Sequence, residues 1–543
     1  MTHRHESRLA APDSEALWGT FGCERTVLFV ARTLTSTARL LEAMDLFRND
    51  FRIRARFTIS NGTRFAGGVE QLLHDSGVHD LVPWPKVEEL DYDLALSASE
   101  NVDVDVLTKP VLVLPHGLGF NKYVPDSADG GLRLAGLPPA RALRTGRVKL
   151  FLSHPEQIAQ LGAAAAETRG NTIVVGDPTC DRMLASVPLR ARYRALLGTA
   201  GRRLVLVAST WSESSLIGSW RTLPHRLLAE LPADEYQVAL VLHPNVWARY
   251  GPADLRVMLA DALDAGLRLI PPHRGWHALL VAADQIITDH GSMGLHAAAL
   301  DKPLLLSSAE PDTVAGSPVA ELARIGDRLE PAEGLREQLS RNVAAHAPGR
   351  FEAVTSRVFA YRGEATERLR NEVYRHLPLN PPVTEPPLLR APDPESEYRN
   401  VTAFRVSSRR TGDIVVLSRY PAAARPESDN RHLVVEEGEA NLRLPERAAV
   451  LVRARYTGHE DAWNWTESAL NAYPFARLAA AATAAGCVVR TRHGQRATIS
   501  SSGDAAALGS LAYVLLTSRQ FADTTMRLRI GKVVYTASVM VIR

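Results

Sequence analysis

The residues that can do chemistry recur at one kind of place, just after a short apolar run of strand length. In VLVLPHGLGFNKY, His116 follows such a run and sits between Pro115 and Gly117. A histidine there can act as a general base near neutral pH. Gly117 and Gly119 would let a substrate come close to the backbone, and Asn121 belongs to the same loop. In LVLVASTW, the hydroxyls and N–H groups of Ser209 and Thr210 can hold a phosphate, and the Trp211 indole can shield it or stack on a base. VALVLHPNVW gives His243 the same relation to its strand, with Pro244 fixing the turn, so that the imidazole can reach a diphosphate. The run IITDHGSMGLHAAALDKPLLL (286–306) reads as strand, polar turn, small-residue helix and second strand. Asp289, His290, Gly291 and Ser292 suit the start of that helix. A helix N-terminus at the carboxyl edge of a parallel strand offers free N–H groups and a partial positive charge, a place for phosphate. The plainer readings are an ordinary well-capped αβ unit and a turn histidine bonded to a carbonyl. Three polar loops at successive strand ends, with His116 opposite, favour the site.

These loops need a scaffold of alternating strands and helices. Apolar runs at 26–32, 56–59, 79–82, 94–97, 111–114 and 173–175 read as strands, with helical patterns near 36–47 and 68–76. The alternation restarts with strands at 204–208, 238–242, 267–270, 285–288 and 304–306. Strands alternating with helices indicate parallel, doubly wound sheets, and two such units in tandem are expected to face each other across a ligand cleft. The expected organisation is a leader (1–25), an N-terminal Rossmann-like acceptor domain (26–190) and a second Rossmann-like, nucleotide-diphosphate-binding domain (200–330). A helical brace (331–376), a Pro-rich linker (377–399) and an accessory α+β domain (400–543) complete it. In the last piece, strand-like runs at 414–417, 449–456, 488–491, 526–530 and 533–542 surround helical patterns at 467–485 and 505–518. Trp463 and Trp465 there read as buried anchors before a recognition surface.

Composition narrows the classes. With 63 basic and 60 acidic residues in 543, the net charge of +3 suggests no nucleic-acid partner. Three distant cysteines (Cys23, Cys180, Cys487) exclude a cysteine zinc site and make a disulfide framework unexpected. His273 and His277 lack a carboxylate partner and follow Pro271-Pro272, so no metal is expected. No apolar stretch reaches the ~20 residues of a membrane span, and no signal-peptide core is visible. The expectation is a cytoplasmic protein, with peripheral membrane association left open. No GxxxxGK[ST], HExxH, GxSxG or kinase motif occurs.

At these residues the chain resembles the two-Rossmann (GT-B) glycosyltransferase superfamily, and within it the CDP-glycerol glycerophosphotransferase group. That group's TDYSS segment, followed by about eleven residues ending in LLDKP, is similar to TDHGSMGLHAAALDKP (288–303). Its APTW corresponds to ASTW (208–211), its HPN to residues 243–245, its HG turn to His116-Gly117, and its VTGxPxxD hinge to VVGDPTCD (174–181). The resemblance covers roughly residues 26–330. It departs at Ser212, where a basic residue is usual, at Gly291, the first serine of the family pair, and at His296, where related enzymes carry a carboxylate that contacts donor ribose.

What the resemblance implies is a transferase. It would move a glycerophosphate, polyol-phosphate or glycosyl group from a nucleotide-activated donor to an unidentified hydroxyl acceptor, with no further cofactor. His116 would be the base. Ser209, Thr210, His243, Asp289, Gly291 and Ser292 would hold the donor phosphates, Trp211 and His296 the nucleotide or ribose, and Gly117, Gly119 and Asn121 the acceptor. The alternatives are a sugar-nucleotide 2-epimerase or hydrolase sharing the fold, and a binding protein without activity. The C-terminal domain is open to a protein partner or to homo-oligomerisation.

Overall fold

The computed structural model describes residues 22–542, apart from positions 61, 64, 116, 126–130, 200, 308–311 and 426–430. Its contacts divide the chain into two compact units, Met1–Arg182 with Ser356–Leu389, and Met183–Thr355 with Arg390–Arg543.

The first unit carries a seven-stranded sheet in the order Leu81–Val82, Ile53–Ile59, Arg25–Ala31, Leu94–Ser97, Val111–Val113, Val148–Leu152, Thr172–Val174. All its pairings are parallel. The central strands are apolar on both faces, as a sheet covered on both sides requires, and Val27, Leu28 and Phe29 are fully buried. Thr33 and Ser36 form a capping box that starts the helix Leu34–Ala43. The strand Val148–Leu152 was not expected, because Lys149 interrupts its short apolar run. The ammonium reaches out to the Gly170 carbonyl and the Asn171 side chain, at 2.8 and 2.9 Å.

The GDPTCD segment has a clear structural task in this unit. Gly176 has φ +90°, and a Cβ there would stand 2.6 Å from the Ala360 carbonyl oxygen. Five residues on, the buried Asp181 carboxylate accepts N–H groups of Gly363 and Ala365 at 2.7 and 3.0 Å. It thereby caps the helix Ala365–His376 from outside that helix's own sequence. The segment expected as one brace, 331–376, therefore divides: Leu335–Ala345 lies in the second unit and Ala365–His376 in the first.

The second unit contains a six-stranded parallel sheet in the order Arg268–Ile270, Tyr236–Leu242, Arg203–Ser209, Gln285–Thr288, Leu304–Leu306, Asp327–Arg328. The doubly wound parallel reading thus holds for both halves. The Pro-rich stretch expected as a linker is bonded down beyond residue 390. Ala391 donates its N–H to Ser186 Oγ (2.8 Å) and its carbonyl accepts the Tyr193 hydroxyl (2.9 Å), while Glu397 exchanges two backbone bonds with Leu269.

From residue 403 the chain forms a closed barrel of nine strands, ordered Ala403–Thr411, Ile414–Pro421, Thr524–Ile530, Val533–Ile542, Arg496–Ser500, Gly486–Thr491, Leu478–Thr483, Val450–Arg453, His432–Glu436. Every strand sends alternate residues into one core with the helix Ala505–Thr517, which is apolar on all sides, as a helix enclosed by a sheet must be. Helices and strands both occur here, as expected, but ring closure was not foreseen. The helix expected over 467–485 is corrected: it runs His459–Ala472, and LAAAAT (Leu478–Thr483) is a strand. Alanine favours helix by itself, yet Ala480 packs closely on the enclosed helix at Gly509, where an added Cβ would lie 3.1 Å from its methyl. Trp463 is a buried anchor, 8% exposed. Arg419 binds Asp234 (2.5 Å) of the α/β part and Asp504 (2.9 Å), which caps the enclosed helix.

Lys302, at the entry to Leu304–Leu306, donates to the carbonyls of Val281 and Ala283 at 3.0 and 2.9 Å. Burial, and then the neighbouring Arg190, bring its pKa down to about 8 from 10.5. The unfolded chain therefore holds a proton that the folded one has lost between those values, and stability rises with pH across that window. In urea unfolding, the wild-type chain is expected to gain about 3 kcal/mol relative to Lys302→Met between pH 8 and 10.5. Parallel curves for the two proteins would refute the buried charge.

Candidate functional site

In the second sheet, strand order reverses between Arg203–Ser209 and Gln285–Thr288, and ligands gather at the carboxyl ends of strands beside such a reversal. Four of the expected residues meet there. Asp289, 4% exposed, directs Oδ2 at the Thr210 N–H (2.8 Å), the Thr210 hydroxyl (2.9 Å) and the Leu216 N–H (3.0 Å), and Oδ1 at the Gly291 N–H (3.3 Å). Ser209 Oγ lies 3.4 Å from the same carboxylate and accepts the Ile217 N–H at 3.0 Å. Asp289 and Ser209 thus shape the loops.

The helix Ser292–Ala299 starts here with Gly291 as its N-cap, and no side chain caps it. Gly291 is required by crowding rather than by φ. A Cβ at this position would lie 2.7 Å from Thr210 Cγ2, which accounts physically for glycine where the resembled family has serine. Beside the helix start is a small cleft, lined by Asp289, His290, Gly291, Ser307, Thr313 and Leu322 among others. Ser307 and Thr313 escaped the sequence reading. Ser307 follows Leu304–Leu306 directly, so the rule used for the other loops would have found it. Thr313 comes from a loop with no periodic signal.

His243 caps its own helix, Nδ1 accepting the Asn245 N–H at 3.1 Å, and its backbone N–H donates to the Ser209 carbonyl at 3.0 Å. A neutral ring with Nδ1 as acceptor carries its proton on Nε2, which makes that nitrogen a donor. The Trp211 ring stands 6.5 Å from the His243 ring and is 36% exposed. His296 is not brought to the same surface: 3% exposed, its Nδ1 lies 3.1 Å from the Ser292 carbonyl and its ring meets the Trp276 edge at 5.8 Å.

In the first unit, His116 lies outside the described residues. Its loop folds back on itself: Asn121 donates to the carbonyls of Leu118 and Gly119 (2.6 and 3.1 Å), and Gln160 holds the Phe120 carbonyl at 2.7 Å. The sequence reading missed two polar groups in this sheet. Arg32 directly follows Arg25–Ala31, where the order reverses, and burial draws its pKa down. His154 follows Val148–Leu152, accepts the Glu156 N–H at 3.2 Å and is likewise pushed down by burial. Its Ser-His-Pro context resembles the His-Pro at 243, a signal that was there to read. Among the described residues, no group of three or more His, Cys, Asp or Glu side chains is placed to hold a metal ion.

No family model and no curated protein matches the chain. Solved structures do. The wall teichoic acid polymerase TagF shares 12% identity at a TM-score of 0.43, covering 66% of this chain and 90% of its own. Staphylococcal MnaA (S. aureus) with UDP shares 13% at 0.40, over 66% and 99%. Anabaena HepE with UDP and glucose shares 13% at 0.36, over 65% and 99%. These are matches of chain path alone.

Gly291→Ala is expected to push Thr210 away from Asp289 and cost about 1–3 kcal/mol in thermal unfolding. Pairing it with Thr210→Ser, which removes Cγ2, should restore most of that loss. Additive losses in the double variant would show that the two residues do not crowd each other.

Proposed function

We propose that the second unit binds the diphosphate of a nucleotide-activated donor at the start of Ser292–Ala299, and that the protein is a transferase. The observation that carries this reading is the helix N-terminus left without a side-chain cap, at the end of a strand beside the sheet's reversal point and next to a small cleft. Backbone N–H groups there, with the helix dipole, suit an anion of charge two or three. The Ser292 hydroxyl and the Nε2–H of His243 add donors that can stabilise charge on the departing nucleotide phosphate. Trp211 offers the base an exposed ring face. Asp289 and Ser209 act behind them, as positioning groups.

The acceptor step rests on the resemblance. His116 takes the proton from an acceptor hydroxyl as that oxygen attacks the donor, and the nucleotide leaves. For a sugar donor the broken bond is anomeric carbon to oxygen and the product a glycoside. For a polyol donor it is the diphosphate P–O bond and the product a phosphodiester. Gly117, Gly119 and Asn121 line the acceptor loop in this scheme.

Incubation with nucleotide sugars and CDP-polyols, each with and without a hydroxyl acceptor, tests it directly. The expected result is acceptor-dependent release of nucleotide, lowered about 10²-fold or more in His116→Ala and in His243→Ala. His116→Ala should still bind UDP or CDP, read as an unchanged thermal shift, whereas His243→Ala should lose part of that shift. Product without acceptor would assign epimerase or hydrolase chemistry instead. Failure of every nucleoside diphosphate to raise the melting temperature would end the reading.

A further inference from the structure

The barrel is covered unevenly. On one flank the helix His459–Ala472 packs over the outer surfaces of Leu478–Thr483 and Gly486–Thr491, with Trp463 against Ala481 and Val488. Five consecutive strands round the ring, Ala403–Thr411, Ile414–Pro421, Thr524–Ile530, Val533–Ile542 and Arg496–Ser500, contain no aspartate or glutamate. Their inward residues, such as Val406, Val415, Leu528 and Val539, fill the core. Their outward residues are arginines, hydroxyl side chains such as Thr525, Thr536 and Ser538, and apolar side chains.

One row across the sheet runs Arg409, Val416, Arg529, Val534, cation and hydrocarbon alternating strand by strand. Farther along, Met540 stands opposite Thr498 and Ile542 opposite Arg496. Val534, Met540 and Ile542 are 56%, 63% and 39% exposed, unusual for such side chains on a closed sheet. Arg409 and Arg529 are exposed, and no ion pair involves either of them among the described residues. Arg527 is matched by Asp413 of the adjoining turn at 2.9 Å.

We propose that this face docks the protein on an anionic lipid surface. A face on which exposed hydrocarbon and hydroxyl side chains are interspersed with guanidinium groups matches the boundary between headgroup phosphates and acyl chains. The apolar groups enter that boundary, and the arginines pair with phosphate while their stems stay in contact with hydrocarbon. Single-stranded nucleic acid is a poorer fit, because these outward rows carry no aromatic platform for bases. A second copy of the chain is also a poorer fit, because a two-fold contact would set rows rich in arginine and free of carboxylates against each other. The inference stands apart from the donor site and does not depend on the transferase reading.

The test is co-sedimentation of the full chain with vesicles of phosphatidylcholine alone and of phosphatidylcholine with phosphatidylglycerol. The expected result is binding to the anionic vesicles only, falling with added salt. Arg409→Glu combined with Arg529→Glu should weaken it about tenfold or more, and Val534→Ser combined with Met540→Ser should weaken it at constant charge. All four positions are exposed, so thermal unfolding should stay unchanged and serve as the folding control. Equal binding to both vesicle types, no binding, or an unaffected arginine variant overturns the proposal. So does a concentration-dependent dimer, or RNA binding without lipid binding, that the same substitutions abolish.

Discussion

A single buried carboxylate organises the loops at the carboxyl edge of the second sheet. Asp289 carries a negative charge in a place nearly closed to water, and the described contacts answer it with N–H and O–H groups rather than with a cation. Such charge-assisted bonds are about twice as strong as neutral ones, and losing one here would leave a charge poorly solvated. The geometry that follows is specific. The 210 loop is drawn down until Thr210 touches the backbone at residue 291, and the chain must turn directly into a helix whose first N–H groups have no side chain over them. The helix start is left open because the Asp289 carboxylate is engaged with the loops instead.

Much of this was legible in the sequence because strand ends in parallel sheets are punctuated. Apolar runs such as LVLVA and VALVL can only be buried strands, and the polar residues after them must emerge at one edge. That logic placed Ser209, Thr210, His243 and Asp289 together without any coordinates. It could not divide labour among them, since an aspartate that shapes a loop and one that meets a ligand have the same letter and the same position. His296 shows the other limit: on a helix of small residues, spacing alone does not say which face is sealed by Trp276.

The C-terminal part was less readable, for a physical reason. Alanine runs are helical by local preference, and LAAAAT is held as a strand by the packing of its two faces, Leu478 and Ala480 against the enclosed helix and Ala479 and Ala481 against the other side. The Pro-rich stretch misled in the opposite sense. Proline signals an extended chain, which is correct, but an extended chain can also be fastened along a sheet, as Glu397 is to Leu269. Local composition specified conformation here and left attachment undetermined.

The order in which the ring is assembled bears on how this protein is made. The hairpin Thr524–Ile530 with Val533–Ile542 is the last of the barrel's strands in chain order, and it fills the gap between Ile414–Pro421 and Arg496–Ser500. Until it emerges from the ribosome, a nascent chain presents two raw strand margins and an oily helix with one wall missing. The earlier strands therefore cannot be sealed before that hairpin is made. Ring closure must wait for it, and chaperone protection matters most in that interval.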